Sequence, residues 1–175
     1  MYDRVAFLES LIEEEALRIL TLYQPMASDM RFTATALKII TYLERIGKYS
    51  KNIAKAAIYL KDRPTTYRMD EVYKMCDVAV EMVKGVITAF STRDITELER
   101  FEELDDKLDH YRVSVIEGNV EHMRVDTRAI EAYTYYISIA KYLERVGDNA
   151  CKIAEKIIYM VSGKRVELDR TVRGL

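Results

Sequence analysis

Glu144 and Asp148 stand four residues apart in the stretch YLERVGDNACKIAEKIIYM, Tyr142 to Met160. Asp105 and Asp109, with Asp106 beside them, repeat that spacing in EELDDKLD. On a helix, side chains four apart stack on one face, about one turn from each other. If the two helices are antiparallel neighbours joined by a turn between Gly118 and Asp126, the pairs come to similar heights and four carboxylates face one another. Like charges so placed raise each other's pKa or attract a cation. A metal ion is one solution and an arginine, here Arg145, is another. With no histidine or cysteine in either motif, the donor set is all oxygen. That suits iron, manganese, magnesium or calcium and suits zinc less well. An isolated Glu-x-x-x-Asp is more often a solvated charged face, so the weight lies on what surrounds it.

What surrounds it is a duplication. YLERIGKYSKNIAKAAIYL, Tyr42 to Leu60, lies 100 residues earlier and matches Tyr142 to Met160 at nine of nineteen positions. A long internal repeat means two copies of one unit. The copies differ at the acid: Lys48 stands where the later copy has Asp148, and an ammonium cannot ligate a cation. Aligning the preceding helices sets Tyr2 and Ala6 opposite Asp105 and Asp109, with Asp3 one residue out of register. The first site is therefore degenerate. Lys48 is positioned instead to pair with Glu44 and hold it.

The elements that position these residues read as helices throughout. Two prolines and six glycines in 175 residues leave little to interrupt helix, and 49% apolar with 32% charged residues is a globular balance. An apolar stripe of Val5, Leu8, Ile12, Leu17 and Leu20 makes a first helix that Pro25 ends. A second begins with a cap at Ser28-Asp29 and runs through Leu60 to Asp62-Arg63-Pro64, a rod of roughly 50 Å. A third covers Asp70 to Ala89. Asp94 and Glu97 have capping-box spacing for a fourth that reaches Met123. Asp126-Thr127 caps a fifth that ends at Ser162-Gly163, the glycine being suited to a left-handed C-terminal position. The reading is an all-α chain of two tandem antiparallel bundles: residues 1–63, reduced to two helices, residues 67–163, with three, and a tail at 164–175. Because two helices bury little, the first pair is expected to lean on the second bundle, on a partner subunit, or on a helix the chain lacks.

Gly147 sits inside the fifth helix, where glycine costs about 0.5–1 kcal/mol relative to alanine, so a close neighbour is expected there. Tyr42, Tyr59, Tyr142 and Tyr159 recur in both copies and read as packing residues. Met69, Met75 and Met82 read as gap fillers. His110 and His122 stand alone and read as surface or satisfied histidines.

Several functions are disfavoured. A net charge of -2 and a pI near 5.8 supply no field for nucleic acid, and the basic tail of Lys164, Arg165, Arg170 and Arg173 reads as solvated. Two cysteines, no charged-then-apolar leader and no unbroken apolar run long enough to span a bilayer point to a cytoplasmic protein without membrane insertion. There is no glycine-rich phosphate loop, Gly-x-Ser-x-Gly or His-Glu-x-x-His, so nothing assembles a nucleophile with its base. A carboxylate-bridged metalloenzyme of the helical-bundle kind would want Glu-x-x-His, which follows neither Glu44 nor Glu144. No catalysis is expected.

QPMASDMRF at Gln24 to Phe32, YLERIGKYSKNIAK at Tyr42 to Lys55, EELDDKLD and YLERVGDNACKIAE at Tyr142 to Glu155 together resemble the PhoU family. Members are regulators of phosphate-specific transport built from two three-helix repeats with a Glu/Asp-x-x-x-Asp signature. The resemblance implies a cytoplasmic helical homo-oligomer that binds metal ions on its acidic surface. By position the ligands would be Asp105, Asp109, Glu144 and Asp148, with Asp29 and Glu44 as remnants of the first site. It further implies restraint of the phosphate ABC transporter through its ATPase subunit and, in many bacteria, contact with a phosphate-sensing histidine kinase. Against the family pattern, the first helix of the first repeat is missing and Lys48 replaces an acid. If the carboxylates are all answered by arginine and lysine, the chain is instead a metal-free interaction module.

Overall fold

In a computed structural model that describes residues 2–61, 63 and 70–168, the chain forms five α-helices. They are α1 (Tyr2–Tyr23), α2 (Ala27–Lys61), α3 (Asp70–Thr92), α4 (Phe101–Val125) and α5 (Ile130–Ser162). Short 3₁₀ turns at Thr96–Arg100 and Thr127–Ala129 precede α4 and α5, and no strand occurs among the described residues. Asp62, Pro64, Met69, Arg170 and Arg173 lie outside the described residues.

The ends follow local chemistry, with two departures from the spacing rules. α2 starts at Ala27, so Asp29 lies inside the first turn, where its charge meets the partial positive end of the helix. Asp94 accepts from the backbone N–H and hydroxyl of Thr96, at 3.0 and 2.7 Å. It therefore closes a turn at i+2 and starts the 3₁₀ segment, which displaces the capping box expected with Glu97. Asp126 accepts from the N–H of Arg128, and Gly163 ends α5 at φ 73 with its N–H on the carbonyl of Tyr159, both as the sequence indicated. α4 passes straight through half-buried Gly118 to Val125, because the packing of its buried face, Val115 and Asn119 on either side of the glycine, outweighs the cost of one glycine.

The long helices α2 and α5, which carry the repeated stretch, pack along each other, so the first repeat leans on the second. Tyrosines mark the seam, with Tyr59 stacked on Tyr135 at 4.1 Å and Tyr49 on Tyr142 at 6.0 Å between ring centroids. α1 packs on α2 as α4 packs on α5, and α3 completes the second bundle against both α4 and α5. Met75, Met82, Val86, Leu98, Phe101, Leu108, Val115, Ile153 and Ile157 fill that core. In α1, by contrast, Ala16 is the buried residue. Among the described residues no helix is long and apolar enough to cross a membrane.

Candidate acidic site

Gly147 shows how the second repeat is assembled. A Cβ there would collide with Leu108 Cδ1 and would lie 3.6 Å from both Asp105 Oδ1 and Met82 Sδ. α3, α4 and α5 therefore meet at this glycine, and the close approach carries Asp105 into the interior, where it is buried. One turn on, Arg112 of α4 sets Nε 3.9 Å from Asp109 Oδ1 and 3.8 Å from Glu144 Oε1. Arg145 reaches Glu144 Oε2 at 3.6 Å and donates to Asp148 Oδ2 at 2.8 Å. The two acid pairs do come to the same height on adjacent helices. Guanidinium groups stand beside Asp109, Glu144 and Asp148.

Burial raises the pKa of Glu144, and the neighbouring Asp148 adds to the effect; Arg145 and Arg112 oppose it without cancelling it. Glu144 in turn raises Arg145. Arg112 Nε is enclosed and makes no hydrogen bond. Its role is electrostatic, at a distance too long for a bond. Among the described residues no three Asp, Glu, His or Cys side chains are gathered closely enough to hold an ion. The donor chemistry fits a hard cation. The arrangement as it stands fits two arginines.

The first repeat shows the same frame refitted. At Gly47 the nearest atoms to an added Cβ are Val5 Cγ1 at 3.4 Å and Tyr2 Cδ2 at 3.7 Å, so Val5 and Tyr2 take the places of Leu108 and Asp105. Tyr2 donates a hydrogen bond to Glu44, and Lys51 Nζ sits 4.6 Å from the centre of the Tyr2 ring. That bond, with burial and the charge of Glu44, raises Tyr2. Lys48 points to solvent and the hydrogen bond to Glu44 comes from Tyr2, which corrects the expected Lys48–Glu44 pair: the tyrosine arrives from the neighbouring helix, whereas the lysine leans outward along its own. Continuing the register, Glu9 occupies the place of Arg112. It is raised by burial and by the nearby charges of Glu44 and Glu13. Asp29 lies at the far end of α2, about 22 Å of helix from Glu44, so those two do not share a site. The spacing of acids pointed to neither Arg112 nor Glu9; extending the alignment of Tyr2 with Asp105 along α1 and α4 would have found both. His122 stacks on Tyr133 and His110 lies against Tyr111.

Two helix pairs in one register, joined along their long members and differing at the acids, define a duplicated helical-bundle protein with one acidic seam. The family model described as the PhoU domain matches residues 1–57 and 72–157. The chain belongs to the PhoU family. It is 34% identical over 169 residues to the phosphate-specific transport system accessory protein PhoU homolog of Caulobacter vibrioides, covering 96% of this chain and 74% of that protein. The corresponding homolog of Deinococcus radiodurans is 32% identical over 157 residues, 90% of this chain and 74% of the relative. Among solved structures, PhoU from Pseudomonas aeruginosa superposes with a TM-score of 0.88 at 33% identity, covering 93% of this chain and 78% of that one. The phosphate transport system regulatory protein PhoU from Streptococcus pneumoniae gives 0.85 at 25% identity, covering 95% and 78%.

Proposed function

We propose that the chain is a non-enzymatic, cytoplasmic regulator of phosphate transport. It restrains a phosphate ABC transporter by binding the ATPase subunit, with a phosphate-sensing histidine kinase as a further partner. Membership of a family whose members are named as accessory proteins of phosphate-specific transport carries this reading. The fold supports it: long helices packed along one another present extended faces to a protein partner. In cells lacking the protein, phosphate uptake under phosphate-rich conditions should rise and fall again when the chain is restored. Unchanged uptake would contradict the assignment.

The acidic seam belongs to this reading as its ion site. Asp105, Asp109, Glu144 and Asp148 would hold a divalent cation, iron, manganese, magnesium or calcium before zinc, in exchange for the guanidinium groups of Arg112 and Arg145. What supports the exchange is the raised Glu144, whose ionised form is still disfavoured beside two arginines. Arg112 is also held without a hydrogen bond at Nε, so its departure sacrifices little. The Tyr2 hydroxyl serves Glu44 in the first repeat, with Lys51 over the Tyr2 ring, so that site would hold no ion.

A second reading, a metal-free interaction module, is favoured by the observation that arginines already answer the carboxylates. Chelation separates the two readings. A bound ion stabilises the folded state by mass action, so thorough chelation lowers Tm under the first and leaves it unchanged under the second.

A further inference from the structure

The packing of α2 on α5 repeats the duplication. Tyr59 stacks on Tyr135 at one end of the seam, and the shift of 100 residues that relates the repeats sends this contact to Tyr159 and Thr35 at the other end. Each contact borders a cleft. Among the described residues both clefts are walled by α2 and α5 and not by α1 or α3. The cleft at Tyr59 measures about 350 Å³ and the one at Tyr159 about 670 Å³. Part of the difference is a ring: where Tyr135 fills the space against Tyr59, Thr35 stands across from Tyr159.

The larger cleft also differs in charge. Lys38 takes the place of Ser138, and Lys156 that of Ala56. One turn before Thr35 on α2, Arg31 takes the place of Glu131, the acid that accepts from the Tyr59 hydroxyl. Arg31 Nε is enclosed and makes no hydrogen bond. Residues 164–168 close the cleft and bring Arg165, whose guanidinium lies 5.8 Å from the centre of the Tyr159 ring. Two acids line it as well. Buried Glu155 is occupied, accepting from Lys152 Nζ at 3.0 Å and from the backbone N–H of Leu168 at 3.3 Å, so it fastens the tail; Lys156 reaches its other oxygen at 3.8 Å. Glu167 is exposed.

We propose that this cleft binds a nucleotide, its base stacked on Tyr159 as Tyr135 stacks on Tyr59, and its phosphate groups held by Lys38, Lys156 and Arg165. Every base presents a flat face that an aromatic side chain can take. Lysine and arginine are the side chains that hold phosphate, by charge-assisted hydrogen bonds. The volume lies within the range of about 300–1,000 Å³ usual for small-molecule sites. A missing ring alone would leave a void, and added lysines alone a solvated surface. Together, against a matching cleft that has the ring and lacks the lysines, they suit a ligand with a planar ring and an anionic arm. The site is built on the α2–α5 seam and the tail, and it is independent of the phosphate reading and of the acidic seam.

Titration calorimetry of the purified chain tests it, with ATP, adenosine and inorganic triphosphate as separate probes. ATP should bind at one saturable site, and adenosine and triphosphate should each bind about tenfold or more weaker, since each offers half of the contacts. Lys38→Ser/Lys156→Ala gives this cleft the residues of the other one and should weaken ATP about tenfold or more. Thr35→Tyr restores the ring and should block ATP; should that variant lose helicity, the lysine pair, which lies at the surface, carries the test. Lys55→Ala, in the matching cleft, should leave ATP binding unchanged. No saturation by ATP up to about 1 mM would overturn the proposal. So would ATP binding that Lys38→Ser/Lys156→Ala leaves intact, or triphosphate that binds as tightly as ATP, which would remove the base from the site.

Discussion

Arg112 of α4 stands 3.8 Å from Glu144 of α5, and the residue in its place in the first repeat is Glu9, which faces Glu44. One register thus puts a cation beside the glutamate of one copy and an anion beside the matching glutamate of the other. The rest of each site follows from that inversion. The second repeat collects acids and balances them with arginines, while the first satisfies Glu44 with the Tyr2 hydroxyl.

The glycines at the two sites should respond differently to a methyl group. Gly147→Ala meets Leu108 in a packed core and should destabilise by about 1–3 kcal/mol. Gly47→Ala meets Val5 at 3.4 Å, an ordinary contact, and should be neutral or stabilise by up to about 1 kcal/mol, the usual cost of glycine in a helix. Urea unfolding of both variants checks this. Equal losses would mean that the two repeats are equally closed.

Glu144 supplies a pH signature. Burial and Asp148 raise its folded pKa above the ordinary 4.5. Its contribution to stability is therefore fullest below that value and is lost as pH climbs through the folded one. With chelator present, Glu144→Gln should gain on the wild type as pH rises from about 4.5. A stability difference that is flat or runs the other way would contradict the burial of this carboxylate.

Arg112→Gln separates counter-ion from structural packing. Without an ion the variant should lose about 1 kcal/mol, a modest figure because the arginine is one-third exposed. With manganese added it should recover and bind the ion more tightly than the wild type does, since the competing charge is gone. Loss of stability that no divalent ion restores would place Arg112 in packing alone.

Much of this was legible in the sequence. Helix types, the antiparallel order and the equal heights of the acid pairs follow from a 3.6-residue period, short turns and the duplication. Gly147 announced its close neighbour. The spacing of acids did not disclose which bases fold over them, because Arg112 lies on α4 and reaches its partner only through tertiary packing. The family resemblance, carried over by position, added Asp29, which shares a helix with Glu44 but stands some four turns away. Lys48 was matched with Glu44 because they share a helix face, and Tyr2 reached Glu44 first from across the groove. In each case local spacing gave the position and a neighbouring helix decided the partner.

The most direct test is elemental analysis of protein purified without chelators or a histidine tag, comparing wild type with Glu144→Ala/Asp148→Ala. The seam as working ion site predicts a divalent metal in the wild type that the double variant loses, while Glu44→Ala keeps it. Equal metal content in wild type and double variant, or none in folded wild type offered manganese and iron, would contradict it and leave the arginines as the only counter-ions of the seam.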